Sequence, residues 1–309
     1  MSFGKKFCAL LLSTSFALAL CGCEDTEYTP SEVVVSNNEE KEEEIKPFPA
    51  LVCGVTLEKA VNKAVSLSPA MTEIICELGF QNRLVAVSSY CDYPEELGLM
   101  TVGSTENPDI DAIIELAPDA VFTLSLLSER DIYMLNHAGI AVLTPKIPES
   151  AEDYYTMYKE IAAAFYGKEV SDPDKGELKT VEVANKARLE LQKAADAAPL
   201  ESFVYVTEML TLAGSDTFAG AILGLSGENL CRESGYVSAD ACEGQTPKYI
   251  IADDKLNREK ITSNAVLNSM IYNGAKLVYI SSSYLERPTA RTAGVFEQIA
   301  EQCTVDSVQ

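Results

Sequence analysis

The chain has 309 residues and a formal net charge of −23, with 47 acidic and 24 basic side chains. Such an excess of negative charge argues against a nucleic-acid-binding protein and against attachment to anionic lipid by charge alone. The nine cysteines show no metal-ligand spacing and His137 is the only histidine, so no metal site and no resident cofactor are expected.

The N-terminus predicts export from the cytoplasm. Two lysines precede an apolar run over residues 7–20, which has the length of a signal-peptide core and is short for a membrane span. The run leads into Gly22-Cys23, which resembles a bacterial lipoprotein signal, where a small residue precedes the cysteine that is acylated. We therefore expect residues 1–22 to be a lipoprotein signal peptide and Cys23 to carry a lipid anchor. An ordinary secretory signal is the alternative.

Residues 23–50 form an acidic segment rich in glutamate, with an apolar patch only at residues 33–35. A segment of this composition buries too little apolar surface to offset the entropy lost on ordering. We expect a disordered tether, extended by the repulsion between its own charges.

Residues 51–170 predict a first α/β lobe, because short apolar runs alternate with helical patterns. The strand-like runs lie at residues 64–67, 84–87, 101–102, 120–122 and 141–143. Ser68 and Pro69 follow the first run and have the residue types of a helix N-cap and a first helical position. Polar and aromatic loops follow the runs, at the sheet edge where open parallel sheets bind ligands. Because these loops carry no clustered histidine or cysteine, we expect binding here and not catalysis.

Residues 171–198 predict one long helix between two lobes, since apolar residues recur at helical spacing until Pro199. Residues 199–309 then repeat strand and helix patterns less regularly. The expected fold class is α/β, with two α/β lobes that contain central, mostly parallel sheets and are joined by a single long α-helix. Such lobes enclose a ligand cleft, and a stiff connecting helix leaves little hinge motion.

Several segments of the chain carry a resemblance to a known family. They lie at residues 54–59, 66–73, 88–94, 107–113 and 117–121, with weaker matches at 227–229 and 284–291. In this order and spacing they resemble the cobalamin- and iron-siderophore-binding proteins of ABC importers, the helical-backbone class III of periplasmic binding proteins. The resemblance covers nearly the whole mature chain. It implies a protein that captures a corrinoid or a ferric siderophore and delivers it to an ABC permease, without catalysing a reaction.

The resemblance also implies which first-lobe residues contact the ligand. Tyr90 stands at a strand end, in a segment whose counterpart in cobalamin binders places an aromatic face on the corrin. A rigid aromatic ring gives a broad contact area at a small entropic cost. The same wall is expected to contain Ser68, Met71, Tyr93 and Thr105. Alternatively, Tyr93 anchors the turn before the next proline, and Ser68 does no more than cap its helix.

Two residues of the second lobe are expected to face the ligand. Tyr284 occupies a position where a cobalamin binder can carry tryptophan, and Arg287 follows at the spacing of the family. Arg287 would donate to corrinoid amide oxygens or neutralise an anionic siderophore; a surface salt bridge, with Glu286 as the first candidate, is its alternative. The chain has no tryptophan, and Leu124 stands where some cobalamin binders have an aromatic residue. The ligand therefore stays open between a corrinoid, a ferric siderophore and haem.

The same resemblance implies that an acidic patch on each lobe contacts arginines of the permease. Asp111 matches the first-lobe acid, in the first turn of a helix that we expect Asn107 to cap. A carboxylate there also stabilises the helix dipole, so a purely structural role is the alternative. In the second lobe, Asn264 occupies the matching position and Glu259 is the nearby substitute.

The cysteines lead to two further hypotheses. In an oxidising compartment we expect Cys231 to pair with Cys242 or with Cys303, while the sequence leaves the connectivity of the mature cysteines open. Cys91 is the candidate nucleophile of an alternative function, a cysteine-dependent enzyme or redox protein. His137 would be its only histidine partner, and it lies at a predicted helix end away from the loop edge. A surface scaffold that has lost its ligand is a third reading.

Overall fold

The computed structural model describes residues 47–167, 177–198 and 200–305. The predicted signal peptide, Cys23 and the predicted tether up to residue 46 lie outside the described residues, as does the start of the predicted linking helix, residues 171–176. None of the helices within the described ranges has the length and apolar character needed to cross a membrane.

The first lobe is built on a five-stranded sheet in which all neighbouring strands are parallel. A small antiparallel hairpin precedes it, formed by β1 (Ala50–Val52) and β2 (Val55–Leu57). The sheet has the order β5-β4-β3-β6-β7 and consists of β3 (Ala64–Ser66), β4 (Leu84–Val87), β5 (Met100–Thr101), β6 (Ala120–Phe122) and β7 (Ala141–Leu143). Its central strands β3 and β6 are fully buried, and all their residues are apolar except Ser66 at the end of β3.

Four helices connect and cover this sheet: α1 (Pro69–Glu77), α2 (Ile110–Leu116), α3 (Glu129–His137) and α4 (Ala151–Tyr166). The prediction for the start of α1 is confirmed, with Ser68 at the N-cap and Pro69 at the first helical position, although the Ser68 side chain makes no capping hydrogen bond. The predicted cap of α2 was wrong. Asp109 caps it, because Asp109 Oδ1 accepts from the Ala112 N–H at 3.0 Å, whereas Asn107 lies two residues too early to reach this turn.

The second lobe follows a long helix, α5 (Glu177–Ala197). Its sheet has the order β11-β9-β8-β12-β13, with β10 beside β8, and its central strands β8, β12 and β13 are parallel. The strands are β8 (Glu201–Val206), β9 (Thr211–Ala213), β10 (Gly227–Asn229), β11 (Tyr236–Ser238), β12 (Tyr249–Asp253) and β13 (Lys276–Ile280). The helices are α6 (Phe218–Leu223), α7 (Arg258–Ser263), α8 (Ala265–Tyr272) and α9 (Gly294–Val305). The predicted fold class, two α/β lobes with mostly parallel sheets joined by a long helix, is confirmed.

Two fully buried tyrosines of α4 join the first lobe to the second. The Tyr154 hydroxyl donates to Thr292 Oγ1 at 2.9 Å, and the Tyr158 hydroxyl accepts from the Ala290 N–H at 3.1 Å. Both partners lie in a short 3₁₀ turn immediately before α9. Because buried hydrogen bonds are costly to leave unmade, these contacts fix the lobes relative to each other.

The six described cysteines are free thiols. Cys231 and Cys242 belong to one buried cluster of the second lobe, and burial followed by the nearby Cys231 raises the pKa of Cys242 to about 12. Cys303 packs instead against the larger cluster that includes α4 and α9. Of the two pairings expected from the sequence, the structure brings together only Cys231 and Cys242.

Candidate functional site

A cavity of about 440 Å³ lies between the two lobes. We call it the central cavity. Its first-lobe wall follows the carboxyl ends of β3 and β4, and its second-lobe wall comes from the segment after β13. The lining residues are Ser68, Pro69, Ala70, Ser89, Tyr90, Asp92, Glu286 and Arg287. This is the sheet edge at which the sequence predicts binding.

Short hydroxyl hydrogen bonds hold the loops of the first-lobe wall. Ser66 Oγ donates to the Ser68 carbonyl at 3.0 Å, and Thr105 Oγ1 donates to the Leu67 carbonyl at 2.8 Å. After β4, the Tyr90 N–H donates to Ser88 Oγ at 3.2 Å. These bonds satisfy backbone groups at the strand ends and leave the Tyr90 ring 55% exposed beside the cavity.

An ion-pair cluster joins the two walls. Arg287 Nη1 lies 2.9 Å from Glu73 Oε1 and 2.5 Å from Asp92 Oδ1, so one guanidinium of the second lobe pairs with two carboxylates of the first. Arg291 Nη1 lies 3.4 Å from the same Glu73 oxygen. The alternative role of Arg287 was a salt bridge with Glu286. That partner was wrong, because Glu286 Oε1 accepts a hydrogen bond from Ser282 Oγ at 3.0 Å.

The members of this cluster differ in burial, and the Asp92 side chain is 70% exposed. Glu73 is completely buried and its Oε2 has no hydrogen-bond partner among the described residues, whereas Arg287 is about one-fifth exposed. The hydrogen bond from Arg287 holds the pKa of Asp92 below its usual value, and Asp92 in turn raises the pKa of Arg287. Arg287 therefore stays charged and committed to its two carboxylates.

A second cavity, of about 410 Å³, opens at the carboxyl ends of β8, β12 and β13. We call it the tyrosine pocket. Tyr205, Tyr236, Asp253, Glu208 and Glu286 line it, together with Thr207, Met209, Thr211, Ala219, Ser282 and Leu285. Glu286 lines both cavities, so they are adjacent parts of one cleft.

Sequence reasoning missed the tyrosine pocket. The available signal was Asp253, an acidic residue that ends the otherwise apolar strand β12. Asp253 is 1% exposed and stands at the strand end where open parallel sheets bind ligands. A charged residue in that position points to recognition more strongly than the apolar run before it.

The structure brings three predicted ligand residues together in the central cavity, namely Tyr90, Ser68 and Arg287. Tyr93 follows the lining residue Asp92 in the chain, is 45% exposed, and has the Arg291 guanidinium 5.0 Å from its ring centroid. Tyr93 is thus tied to the ion-pair cluster through a cation–π contact.

The other three predicted ligand residues lie elsewhere. Met71 is completely buried in the core below α1, and Thr105 uses its hydroxyl to hold the Leu67 carbonyl. Tyr284 lines a separate groove between α5 and α9, where its ring fills the space beside Gly294. Ligand contact by these residues stays a prediction.

The predicted permease contacts are on surface helices. Asp111 is exposed in the first turn of α2. Asn264 caps α8, because its Oδ1 accepts from the N–H groups of Val266 at 3.0 Å and Leu267 at 3.1 Å. Glu259 is exposed in the first turn of α7.

The surroundings of Cys91 differ from those of an activated thiolate. Its Sγ lies 3.1 Å from Thr72 Oγ1 and 3.7 Å from Ser88 Oγ, and both neighbours are hydroxyl groups. His137 ends α3 and stacks on Tyr133 with ring centroids 5.8 Å apart. Within the described ranges, no group of three or more histidine, cysteine, aspartate or glutamate side chains is placed to hold a metal ion.

Comparison with known proteins identifies relatives of the whole two-lobed unit. The family model described as periplasmic binding protein matches residues 65–273. The uncharacterized ABC transporter substrate-binding lipoprotein YvrC of Bacillus subtilis is 31% identical over 164 residues, which are 50% of this chain and 49% of that protein. The chain therefore matches about half the length of this relative.

One further relative and two solved structures are matched over most of their length. The vitamin B12-binding protein of Vibrio cholerae is 25% identical over 82% of this chain and 89% of that protein. The crystal structure of a periplasmic vitamin B12 binding protein from that organism has a TM-score of 0.60, with 20% identity over 81% of this chain and 99% of that chain. A periplasmic heme binding protein from Pseudomonas aeruginosa has a TM-score of 0.59, with 18% identity over 78% and 91%. At these identities the two solved structures show the fold alone.

We predict that Arg287→Met destabilises the protein because it leaves the buried Glu73 carboxylate with only the more distant Arg291. The free energy of unfolding should fall by about 3 kcal/mol, measured by urea denaturation. Adding Glu73→Gln to this variant should restore at least about half of the loss, since a neutral amide needs no counter-ion. Arg130→Ala, at an exposed position of α3, serves as the control and should change stability by less than about 0.5 kcal/mol. A neutral Arg287→Met would show that the ion pair contributes nothing.

Proposed function

Because the chain belongs to the periplasmic binding protein family, we propose that it is the extracytoplasmic substrate-binding lipoprotein of an ABC importer. It captures a corrinoid such as cobalamin, or a ferric siderophore, and delivers the ligand to the permease. The observation that carries this proposal is the central cavity, which lies between two lobes at the carboxyl ends of their strands and has Tyr90 exposed at its wall. The names of the vitamin B12-binding relatives support the corrinoid as the leading ligand.

The first-lobe wall suits a large, flat ligand. Tyr90 offers a ring with little conformational entropy to lose, and Ser68 and Ser89 line the same cavity. Arg287 is positioned at the opposite wall, and its hydrogen bonds to Glu73 and Asp92 orient it across the cleft.

Haem is the second candidate ligand, favoured by the heme-binding protein among the structural relatives. The exposed Tyr90 offers a phenol oxygen as an axial ligand, whereas His137 lies at the end of α3 beside Tyr133.

A cysteine-dependent enzyme is the alternative from another class. Its candidate nucleophile, Cys91, has the hydroxyl groups of Thr72 and Ser88 as neighbours, which do not act as a general base. We propose that the protein catalyses no reaction.

We predict that purified protein binds cyanocobalamin with a saturable visible difference spectrum and a raised melting temperature. Tyr90→Ala should weaken binding by about tenfold, since a buried aromatic contact contributes more than about 1 kcal/mol. Tyr133→Ala removes an exposed ring of α3, away from the cavity, and should leave the affinity unchanged. Ferric siderophores and haem are titrated in parallel, and the absence of a shift with every ligand would reject the proposed function. Turnover that depends on the Cys91 thiol would favour the enzyme.

We propose that Asp111 contacts the permease, because it is an exposed carboxylate on α2. Asp111→Arg should leave ligand affinity unchanged and reduce importer-dependent uptake by at least about tenfold, since a like charge at the contact is repulsive. Glu58→Arg makes the same charge change at an exposed position before β3, outside α2, and is the control. If uptake is unchanged in Asp111→Arg, Asp111 does not contact the permease and its role is limited to stabilising the dipole of α2. Glu259 is the proposed second-lobe counterpart.

We propose that Cys23 carries the lipid anchor. Cys23→Ser should move most of the protein from the membrane fraction to the soluble extracytoplasmic fraction, because the acidic chain offers no electrostatic attachment to anionic lipid. The distribution is measured by fractionation and immunoblotting, with Cys53→Ser as the control. A Cys23→Ser protein that remains wholly membrane-bound would contradict the anchor.

A further inference from the structure

The tyrosine pocket contains a tyrosine hydroxyl without a protein partner. Tyr205 is 3% exposed, lines the pocket, and its hydroxyl makes no hydrogen bond to any described residue. Burial, followed by the nearby Asp253 charge, raises the pKa of Tyr205 above its usual value, so the hydroxyl stays protonated. A hydroxyl that lines a pocket and has no protein partner is open to hydrogen bonding with a ligand.

The carboxylate beside it is also incompletely paired. Asp253 is 1% exposed, and its Oδ1 accepts from the Lys255 N–H at 2.8 Å. Its Oδ2 has no donor among the described residues. Lys255 directs its own ammonium group to Glu208 instead, with Nζ 2.9 Å from Oε2. A carboxylate oxygen that lines the pocket and has no protein donor is open to a donor from a ligand.

The cleft as a whole is acidic. Four carboxylates line the two cavities, namely Asp92, Glu208, Asp253 and Glu286. Arg287 is the one basic residue that lines either cavity, and it is already bound to Glu73 and Asp92. Among the described residues, Asp253 and Glu286 have no basic side chain within salt-bridge distance. A carboxylate of a ligand would therefore meet repulsion here, and an N–H or O–H donor would meet acceptors.

We propose that the tyrosine pocket binds an uncharged or cationic, hydrogen-bond-donating edge of the ligand, such as the primary amides around a corrin ring. Asp253, Glu286 and Tyr205 are its specificity-determining residues, and they disfavour ligands whose edge carries carboxylates. The inference rests on the proposed function, because it selects among the ligand classes named there. It favours amide-bearing corrinoids and cationic ferric chelates over haem and anionic siderophores.

The test compares two corrinoids that share ring, cobalt and axial ligands. Dicyanocobinamide carries side-chain amides, and dicyanocobyrinic acid carries carboxylates at the same positions. We expect the carboxylate form to bind at least about tenfold more weakly to the full-length protein, by tyrosine fluorescence quenching at low ionic strength. Equal affinities, or tighter binding of the carboxylate form, would overturn the inference.

Two variants assign the selectivity to the pocket. Asp253→Asn and Glu286→Gln each remove one charge at constant size and should reduce the affinity ratio of the two corrinoids by about threefold or more. Glu243→Gln removes an exposed charge of the same lobe away from both cavities and should leave the ratio unchanged. Glu286 is exposed, so its variant decides the outcome if Asp253→Asn does not fold. A ratio that neither variant moves would assign the selectivity to another part of the cleft and overturn the role of these residues.

A second ligand pair separates this inference from the corrinoid proposal. If neither corrinoid binds, a cationic ferric trihydroxamate and an anionic ferric tricatecholate are compared in the same assay. Preference for the cation would retain the acidic pocket and reject the corrinoid. Preference for the anion, equal binding, or no binding of either would reject the acidic pocket as a determinant of specificity.

Discussion

The buried carboxylate of Glu73 is the constraint on which the arrangement of the cleft depends. It sits on α1 of the first lobe, while the arginines that neutralise it, Arg287 and Arg291, belong to the second. A carboxylate removed from water needs a close counter-ion, so the folded protein is stable only with the two lobes held in this relation. The same bonds fix the position of Arg287, and with it the wall of the central cavity.

The rest of the contact between the lobes reinforces this arrangement. Tyr154 and Tyr158 form buried hydrogen bonds to the turn before α9, a few residues from Arg287, and α4 packs along α5. Because each bond has a narrow range of distances and angles, their combination resists sliding and rotation of one lobe against the other. The cleft is therefore largely pre-formed, and recognition depends on the shape and charge that its walls already have.

The parts of this architecture that were predictable from sequence are those encoded locally. The alternation of apolar runs and helical patterns predicted the sheets and most helices. Tyr90 was selected from its place after a strand and from the resemblance of its segment to cobalamin binders, and it lines the central cavity. Local reasoning failed where several residues compete for one role. Residues 70–75 of α1 are all buried, so the apolar pattern could not show that Met71 faces the core. Likewise Asn107 and Asp109 are both good caps, and only the position of the first turn selects Asp109.

The charges of the cleft were beyond local reasoning for a different reason. Arg287 pairs with Glu73 and Asp92 across separations of 214 and 195 residues, which no spacing rule relates. Once these pairs are known, the role of each charge changes. Arg287 is no longer a free cation for an anionic ligand, because two carboxylates of the protein already neutralise its charge. Asp253, which the sequence presents as an ordinary strand end, becomes the acceptor that the fold leaves open. The positive charge of Arg287 is thus neutralised by carboxylates of the protein, while other carboxylates of the cleft remain as hydrogen-bond acceptors. This arrangement suits a neutral or cationic ligand that is rich in hydrogen-bond donors.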